Sequence, residues 1–304
     1  NSKVKTLDNL KKIRKKKINF FKSDINNQKI LEKILKNSNI DIVIHTAGLK
    51  SVEESVKHPQ KYFYNNISGT ISLINAMHKT NVKKLIFSSS ATVYSEDNQM
   101  PLTEDSSLKP YSPYGESKLI VENILKSMVK ADSGWKIAII RYFNPVGAHS
   151  SFLIGETPLT KPQNLMPILV NVASGENQYL SIYGNDYDTS DGTAIRDYIH
   201  ISDLVEGHIN TMHHLQDNLT ENPLILNLGT GKGNSVLDLV HSFEEVNGVK
   251  INYKFKERRK GDIPISFADS SKANKIINWK AKHNLKDMCH SSWEFHKFNE
   301  KKNN

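Results

Sequence analysis

Short apolar runs alternating with longer segments of helical period constrain this chain more than any other feature. "IDIVIHTAG" (40–48) is an apolar run ending in a turn, and "KYFYNNISGTISLINAMHKT" (61–80) comes next with Phe63, Ile67, Ile71, Ile74 and Met77 at helical spacing. "KKLIFSSS" then predicts a buried strand, "ESKLIVENILKSMVKA" a helix, and "KIAIIRYFN" a third strand. Such β-α-β-α repetition implies an α/β fold, a parallel sheet covered by helices. After about residue 150 the rhythm gives way to "TPLTKPQNLMP", "YGNDYDTSDGT" and "NLGTGKGNS". Long Pro- and Gly-rich segments in a compact α/β chain are usually binding loops or a lid. The expected division is therefore a parallel-sheet domain over 1–150 and a smaller lobe over 151–304, with segments returning to the first domain.

Parallel sheets bind ligands beyond the carboxyl ends of their strands. Here those ends carry Ala47, Gly48 and Lys50; Ser88 to Ser90 with Thr92; and Phe143, Asn144 and Pro145. Close behind comes "SPYGESK" (112–118), in which Tyr114 and Lys118 stand one helical turn apart. An ammonium on the same helix face favours the phenolate and lowers the phenol's pKa. Taken alone the pair is a common accident in a chain with 11 tyrosines. A serine at a neighbouring strand end turns the pair into a working set. The serine orients a substrate hydroxyl, the tyrosine removes its proton, and the lysine holds the tyrosine's pKa down. That is equipment for hydride transfer, which needs a nicotinamide cofactor.

Composition narrows the alternatives. The 304 residues, 38% of them hydrophobic, can bury a sizeable core. No run of about 18 apolar residues is present to span a bilayer, and no charged-then-apolar leader precedes the first strand signal. A single cysteine, Cys289, cannot form an internal disulfide, which fits a cytosolic compartment. The net charge of +9 invites thoughts of nucleic acid, and "KKIRKKK" (Lys11 to Lys17) holds six basic residues in seven. With no aromatic-interleaved motif or zinc spacing beside it, a solvated helix face is the better reading, and an anionic small substrate would also suit a basic cleft. The 12 histidines show no metal-ligand spacing; His213 and His214 are adjacent, diverge on a helix and read as surface residues.

The ordered series "AGLKSVEESVKHP", "YNNISGT", "FSSSATVY", "SPYGESK", "RYFNPVGAH", "QNLMP", "GTAIRDYIH", "NLGTGKGNSVLDLV" and "RRKGDIP" resembles the UDP-glucose 4-epimerases, extended short-chain dehydrogenases/reductases, along nearly the whole chain. The resemblance implies a doubly wound Rossmann-like sheet, NAD as cofactor and a UDP-hexose as substrate. It makes Tyr114 the base, Lys118 its pKa partner and a ligand of the cofactor ribose, and Ser90 the hydroxyl orienter, with Thr92 nearby. Asp24, Ile25, Ala47, Gly48, Lys50, Asn65 and Phe143 match cofactor contacts, together with Ser90, Tyr114 and Lys118. Asn144, Asn164, Leu165, Arg196, Tyr198, Arg259, Asp262 and Ser266 match the UDP-sugar site, which Lys50, Ser90, Thr92 and Tyr114 also face. Arg196 and Arg259 suit a diphosphate, since guanidinium forks match phosphate oxygens. By analogy, homodimers form through the helices at about 61–80 and 114–131.

Two departures from the family pattern stand out. The family begins with a strand and a G-x-x-G-x-x-G turn whose amides meet the pyrophosphate, whereas "NS" at 1–2 resembles the stretch just after its second strand. A first βαβ unit of roughly 30 residues is thus expected to be missing, as in a fragment or a truncated product, weakening NAD binding. The residue four places after Asp262, which tunes tolerance of an N-acetyl group at sugar C2, is the small Ser266, and Thr46 stands where an aromatic occurs. A 4,6-dehydratase normally carries an acidic pair after the threonine of the serine strand; Val93 and Tyr94 stand there instead, which favours an epimerase. A UDP-glucuronate-processing relative and a non-catalytic UDP-sugar binder are the remaining rivals.

Overall fold

The computed structural model describes residues 5–14, 16, 18–158, 162–217, 221–259 and 261–300. Helices α1 (Lys5–Arg14) and α2 (Gln28–Asn37) precede strand β1 (Val43–His45). Then come α3 (Val52–Lys57), α4 (Pro59–Phe63), a π-helical turn (Tyr64–Ser68) and α5 (Gly69–Lys79), leading to β2 (Lys84–Ser88). A 3₁₀ turn (Ala91–Val93) and α6 (Pro113–Ala131) lead to β3 (Lys136–Tyr142) and β4 (Asn144–Val146). The second half holds α7 (Leu165–Ala173), β5 (Leu180–Tyr183), β6 (Ile195–Arg196), β7 (Tyr198–His200), α8 (Ile201–Asp217) and β8 (Leu224–Leu228). It closes with β9 (Asn234–Ser235), α9 (Val236–Asn247), β10 (Tyr253–Lys256), β11 (Ile265–Ser266), α10 (Ser271–Ile277) and α11 (Leu285–Glu300).

The main sheet is parallel throughout, in the order β1-β2-β3-β8. Both faces are covered, so its strands read as unbroken apolar runs whose alternate residues enter different cores. Leu85, Phe87, Ile137 and Ile139 face one way, onto Leu35 of α2, Leu73 and Met77 of α5, and Val121 and Leu125 of α6. Ile86, Ala138 and Ile140 face the other way, onto Leu204 and Leu215 of α8, Ala273 and Ile277 of α10, and Trp279. This is the doubly wound arrangement expected. A third apolar cluster belongs to the later part of the chain, where α7, α9 and α11 pack around β5 through Leu169, Leu180, Phe243 and Trp293.

Three expectations need correction. The segment 61–80 is not one regular helix: the π turn at Tyr64–Ser68 inserts extra backbone and rotates the residues after it. Ile71 is therefore 40% exposed, while Leu73, Ile74, Ala76 and Met77 enter the core. "NLGTGKGNS" is not wholly loop, since Asn227 and Leu228 finish β8, which pairs with β3 at the end of the main sheet. His214 is half-buried with its Nε2 unpartnered, so of the adjacent histidines only His213 is a surface residue. The basic run forms the last turn of α1 through Lys11, Lys12 and Arg14; Lys15 and Lys17 lie outside the described residues. Among the described residues no helix is long and apolar enough to cross a membrane.

Candidate active site

Local sequence explains how Tyr114 is aimed. Ser112 caps α6, its hydroxyl accepting from the Gly115 N–H at 3.2 Å, and Pro113 takes the first helical position, where a missing N–H costs nothing. Gly115 is demanded by close approach, because a Cβ there would lie 2.5 Å from the Thr92 carbonyl oxygen. The helix start is thereby pressed against the end of β2, placing Tyr114 beside Ser90. The Ser90 hydroxyl accepts from the Thr92 N–H (3.2 Å) and the Thr92 hydroxyl (3.0 Å). Ser90, Tyr114 and Lys118 are all buried.

The electrostatics differ in one respect from expectation. Burial drives the Tyr114 phenol above its ordinary pKa, with Tyr142 acting the same way and the Ser90 hydroxyl acting against them. Lys118 Nζ lies 6.0 Å from the Tyr114 ring centroid but donates to the Ser88 carbonyl at 2.8 Å and sits over the Phe87 ring. Its ammonium is itself pulled down to about 8 by burial, with Glu122 acting upward. In this arrangement desolvation outweighs the Ser90 hydrogen bond that opposes it, so the phenol's pKa is raised rather than brought down towards neutrality.

The end of β1 leaves bare backbone at the surface. Thr46, Ala47 and Gly48 are exposed, and a Cβ on Gly48 would come within 3.2 Å of Asn66 Oδ1 and 3.7 Å of Lys118 Nζ. Bare backbone here faces the lysine, a fit for the hydroxyl-rich ribose of a dinucleotide, and Phe143, just past the end of β3, is a buried side chain. Asn65 is half-buried in the π turn. Asp24 is exposed and accepts from the backbone and side chain of Asn26, which hold its carboxyl low, and Ile25 packs against Gly69.

Small paired strands collect the remaining candidates. Asn144 of β4 pairs with Tyr198 of β7, and Arg196 of β6 with Ser266 of β11. Arg196 Nη2 lies 3.6 Å from Asp262, and the Arg259 guanidinium sits 3.9 Å over the Tyr183 ring. Ser266 and Tyr198 are buried. Asn164 stands at the N-cap position of α7 without a side-chain cap bond, ahead of half-buried Leu165.

Three residues were not anticipated. Glu156 accepts from Lys50 (2.9 Å) and from Asn164 (2.8 Å), joining a candidate at the β1 end to one at the start of α7. Asn66, turned inward by the π turn, receives the Leu49 N–H at 2.8 Å and donates to the Leu49 carbonyl and Ser117. Tyr111 packs on Gly261, helps raise the Tyr114 phenol, and is itself raised by burial, with Arg196 acting against and Asp262 acting with that rise. Only Tyr111 carried a signal in the sequence, as an aromatic three residues ahead of Tyr114.

A family model described as GDP-mannose 4,6 dehydratase matches residues 1–292. A UDP-glucose 4-epimerase of Dictyostelium discoideum is 48% identical over 299 residues, covering 98% of this chain and 87% of the relative. The chain belongs to the UDP-glucose 4-epimerase family. A UDP-glucose 4-epimerase of Bacillus subtilis is 45% identical over the same share of this chain. Two solved epimerase structures agree in fold. The one from Stenotrophomonas maltophila, with bound NAD and formylated UDP-arabinopyranose, has a TM-score of 0.96 at 42% identity, covering 99% of this chain and 89% of its own. The one from Bifidobacterium longum, in complex with NAD+ and UDP, has a TM-score of 0.94 at 44% identity with the same coverages. Within this family Val93 and Tyr94 leave no acid beside Thr92: Val93 is fully buried, and the Tyr94 hydroxyl donates to Asn227 and accepts from Arg141.

Proposed function

We propose that this chain is an NAD-dependent isomerase that interconverts UDP-galactose and UDP-glucose by inverting C4 of the hexose. The observation that carries it is the convergence of Ser90, Tyr114 and Lys118 beside the bare Gly48 backbone. NAD, when bound, supplies an acceptor that takes the C4 hydrogen as hydride and gives it back. Lys118 and the strand-end backbone would hold it, with Asp24, Ala47 and Phe143 in the same contact set. Ser90, fixed by Thr92, orients the C4 hydroxyl. Tyr114, acting from its phenolate form, takes that hydroxyl's proton as the C4–H bond breaks, which leaves a 4-keto sugar and a neutral phenol. After the ketone has turned its other face, Tyr114 returns the proton to the carbonyl oxygen as C4 regains its hydrogen, so phenolate and cofactor end as they began. Arg196 and Arg259 suit the diphosphate, and anchoring the nucleotide leaves the hexose free to turn.

The decisive assay follows UDP-galactose to UDP-glucose with NAD present, through a coupled UDP-glucose dehydrogenase. Tyr114→Phe should lower kcat by about 10²–10⁴-fold; a variant that keeps the wild-type rate would remove Tyr114 from the chemistry. Ser266 is small and buried, and at the position that the family resemblance assigns to sugar C2 it would leave room for an N-acetyl group. Turnover of UDP-N-acetylgalactosamine is therefore expected and should fall selectively in Ser266→Tyr, whereas equal loss on both substrates would argue against a C2 role. The lone cysteine, buried and reduced, suits the cytoplasm.

A further inference from the structure

We propose that Glu176, His296 and Glu300 form a binding site for a divalent transition-metal ion with zinc-like ligand preference. His296 and Glu300 stand one turn apart on the same face of α11, and Glu176 comes from the loop just after α7, a helix that packs on α11. The imidazole nitrogen and one oxygen from each carboxylate all lie within 4.8 Å of one another. One nitrogen and two carboxylates make a donor set suited to Zn²⁺ or Co²⁺ and poorly suited to Mg²⁺ or Ca²⁺, which favour all-oxygen shells.

The state of His296 points to a ligand independently of that grouping. Its Nε2 is buried yet has no hydrogen-bond partner, although Glu300 Oε1 lies only 3.3 Å away. Left bare, the nitrogen lone pair faces a carboxylate; protonated, its N–H is misaligned for a hydrogen bond. A cation between the two removes both problems. With zinc–ligand bonds of about 2.0–2.1 Å, neighbouring donors on a tetrahedron stand about 3.3–3.4 Å apart, which matches the His296–Glu300 separation. The ring is already oriented, stacked on Trp293 at 5.4 Å with planes 13° apart. Glu176 is exposed and, among the described residues, has no ion-pair partner that would hold its carboxylate away from the other two ligands. A cavity of about 400 Å³ bordered by Glu176 and His296 leaves room for the water that completes the shell.

The test uses the purified chain, stripped with a chelator and titrated calorimetrically with ZnCl₂, with CoCl₂ added separately to read the visible d–d absorption of a low-coordinate site. The wild type should bind one equivalent. Glu176→Gln, His296→Gln and Glu300→Gln should each weaken it by about tenfold or more and abolish the cobalt band. Because Glu176 is exposed, its glutamine variant keeps the fold, and metal-free melting curves verify this. No stoichiometric zinc in the wild type, or binding that survives Glu176→Gln and His296→Gln, overturns the proposal.

Discussion

At the residue scale, Lys118 is where function and stability pull apart. Its ammonium is buried, and its pKa falls from 10.5 to about 8, so between those values the unfolded chain binds more protons than the folded one. Folding stability contributed at this site therefore rises with pH across that interval, and the penalty is fully present below about pH 8. In Lys118→Met that pH dependence disappears. Measured by urea unfolding, the wild type should gain on the order of 3 kcal/mol relative to Lys118→Met between pH 7.5 and 10.5, while the variant loses epimerase activity throughout. A difference that stays flat with pH would mean that the ammonium is better solvated than its burial implies. The same residue shows what a sequence pattern can and cannot tell. Tyr-x-x-x-Lys placed the two side chains on one helix face, but it did not show that Nζ would be given to the Ser88 carbonyl.

At the scale of elements, the serine strand, the tyrosine helix and the next strand are held in register by one buried ion pair. Arg141 on β3 meets Glu122 on α6 through two bonds, at 3.0 and 2.7 Å, and the same carboxylate accepts from Ser89 at 2.6 Å. Burial works against the guanidinium, and Glu122 more than reverses it, so Arg141 stays charged. Removing one partner strands the other charge in the core. Glu122→Ala should cost about 3–5 kcal/mol, and the double change Glu122→Leu with Arg141→Met should recover most of it, as read from denaturant midpoints. If the single and double variants are equally unstable, packing volume rather than charge is the main term. Neither residue drew notice in the sequence, where Glu122 reads as an ordinary polar position of an amphipathic helix. Its burial depends on where β3 carries Arg141, which no helical period encodes.

For the whole molecule, the unsettled surface is the outer face of α6. Ile120, Ile124, Met128 and Ala131 line a shallow apolar groove there, and Tyr64 and Ile71 are exposed on the segment leading into and along α5. Two copies meeting through α5 and α6 would cover both patches. Light scattering coupled to size exclusion should give twice the chain mass of 34.5 kDa, and Ile124→Glu should return it to the monomer. A monomeric wild type would mean that these side chains are simply tolerated at the surface.

The sequence by itself determined the doubly wound class, three strands of the main sheet and the Ser90, Tyr114 and Lys118 constellation. These are carried by local periodicity, by helix-start chemistry and by an ordered series of family motifs, and each can be read within one short stretch of chain. Only the tertiary structure decided that β8 joins the sheet, that Glu156 couples Lys50 to Asn164, that Asn66 rather than its neighbour is turned inward, and that Glu176 meets His296 and Glu300. Each of these depends on groups brought together by packing from distant parts of the chain or on a single inserted turn of backbone. Short-range patterns carry no record of such contacts, because the energy that selects them is released only when the layers close.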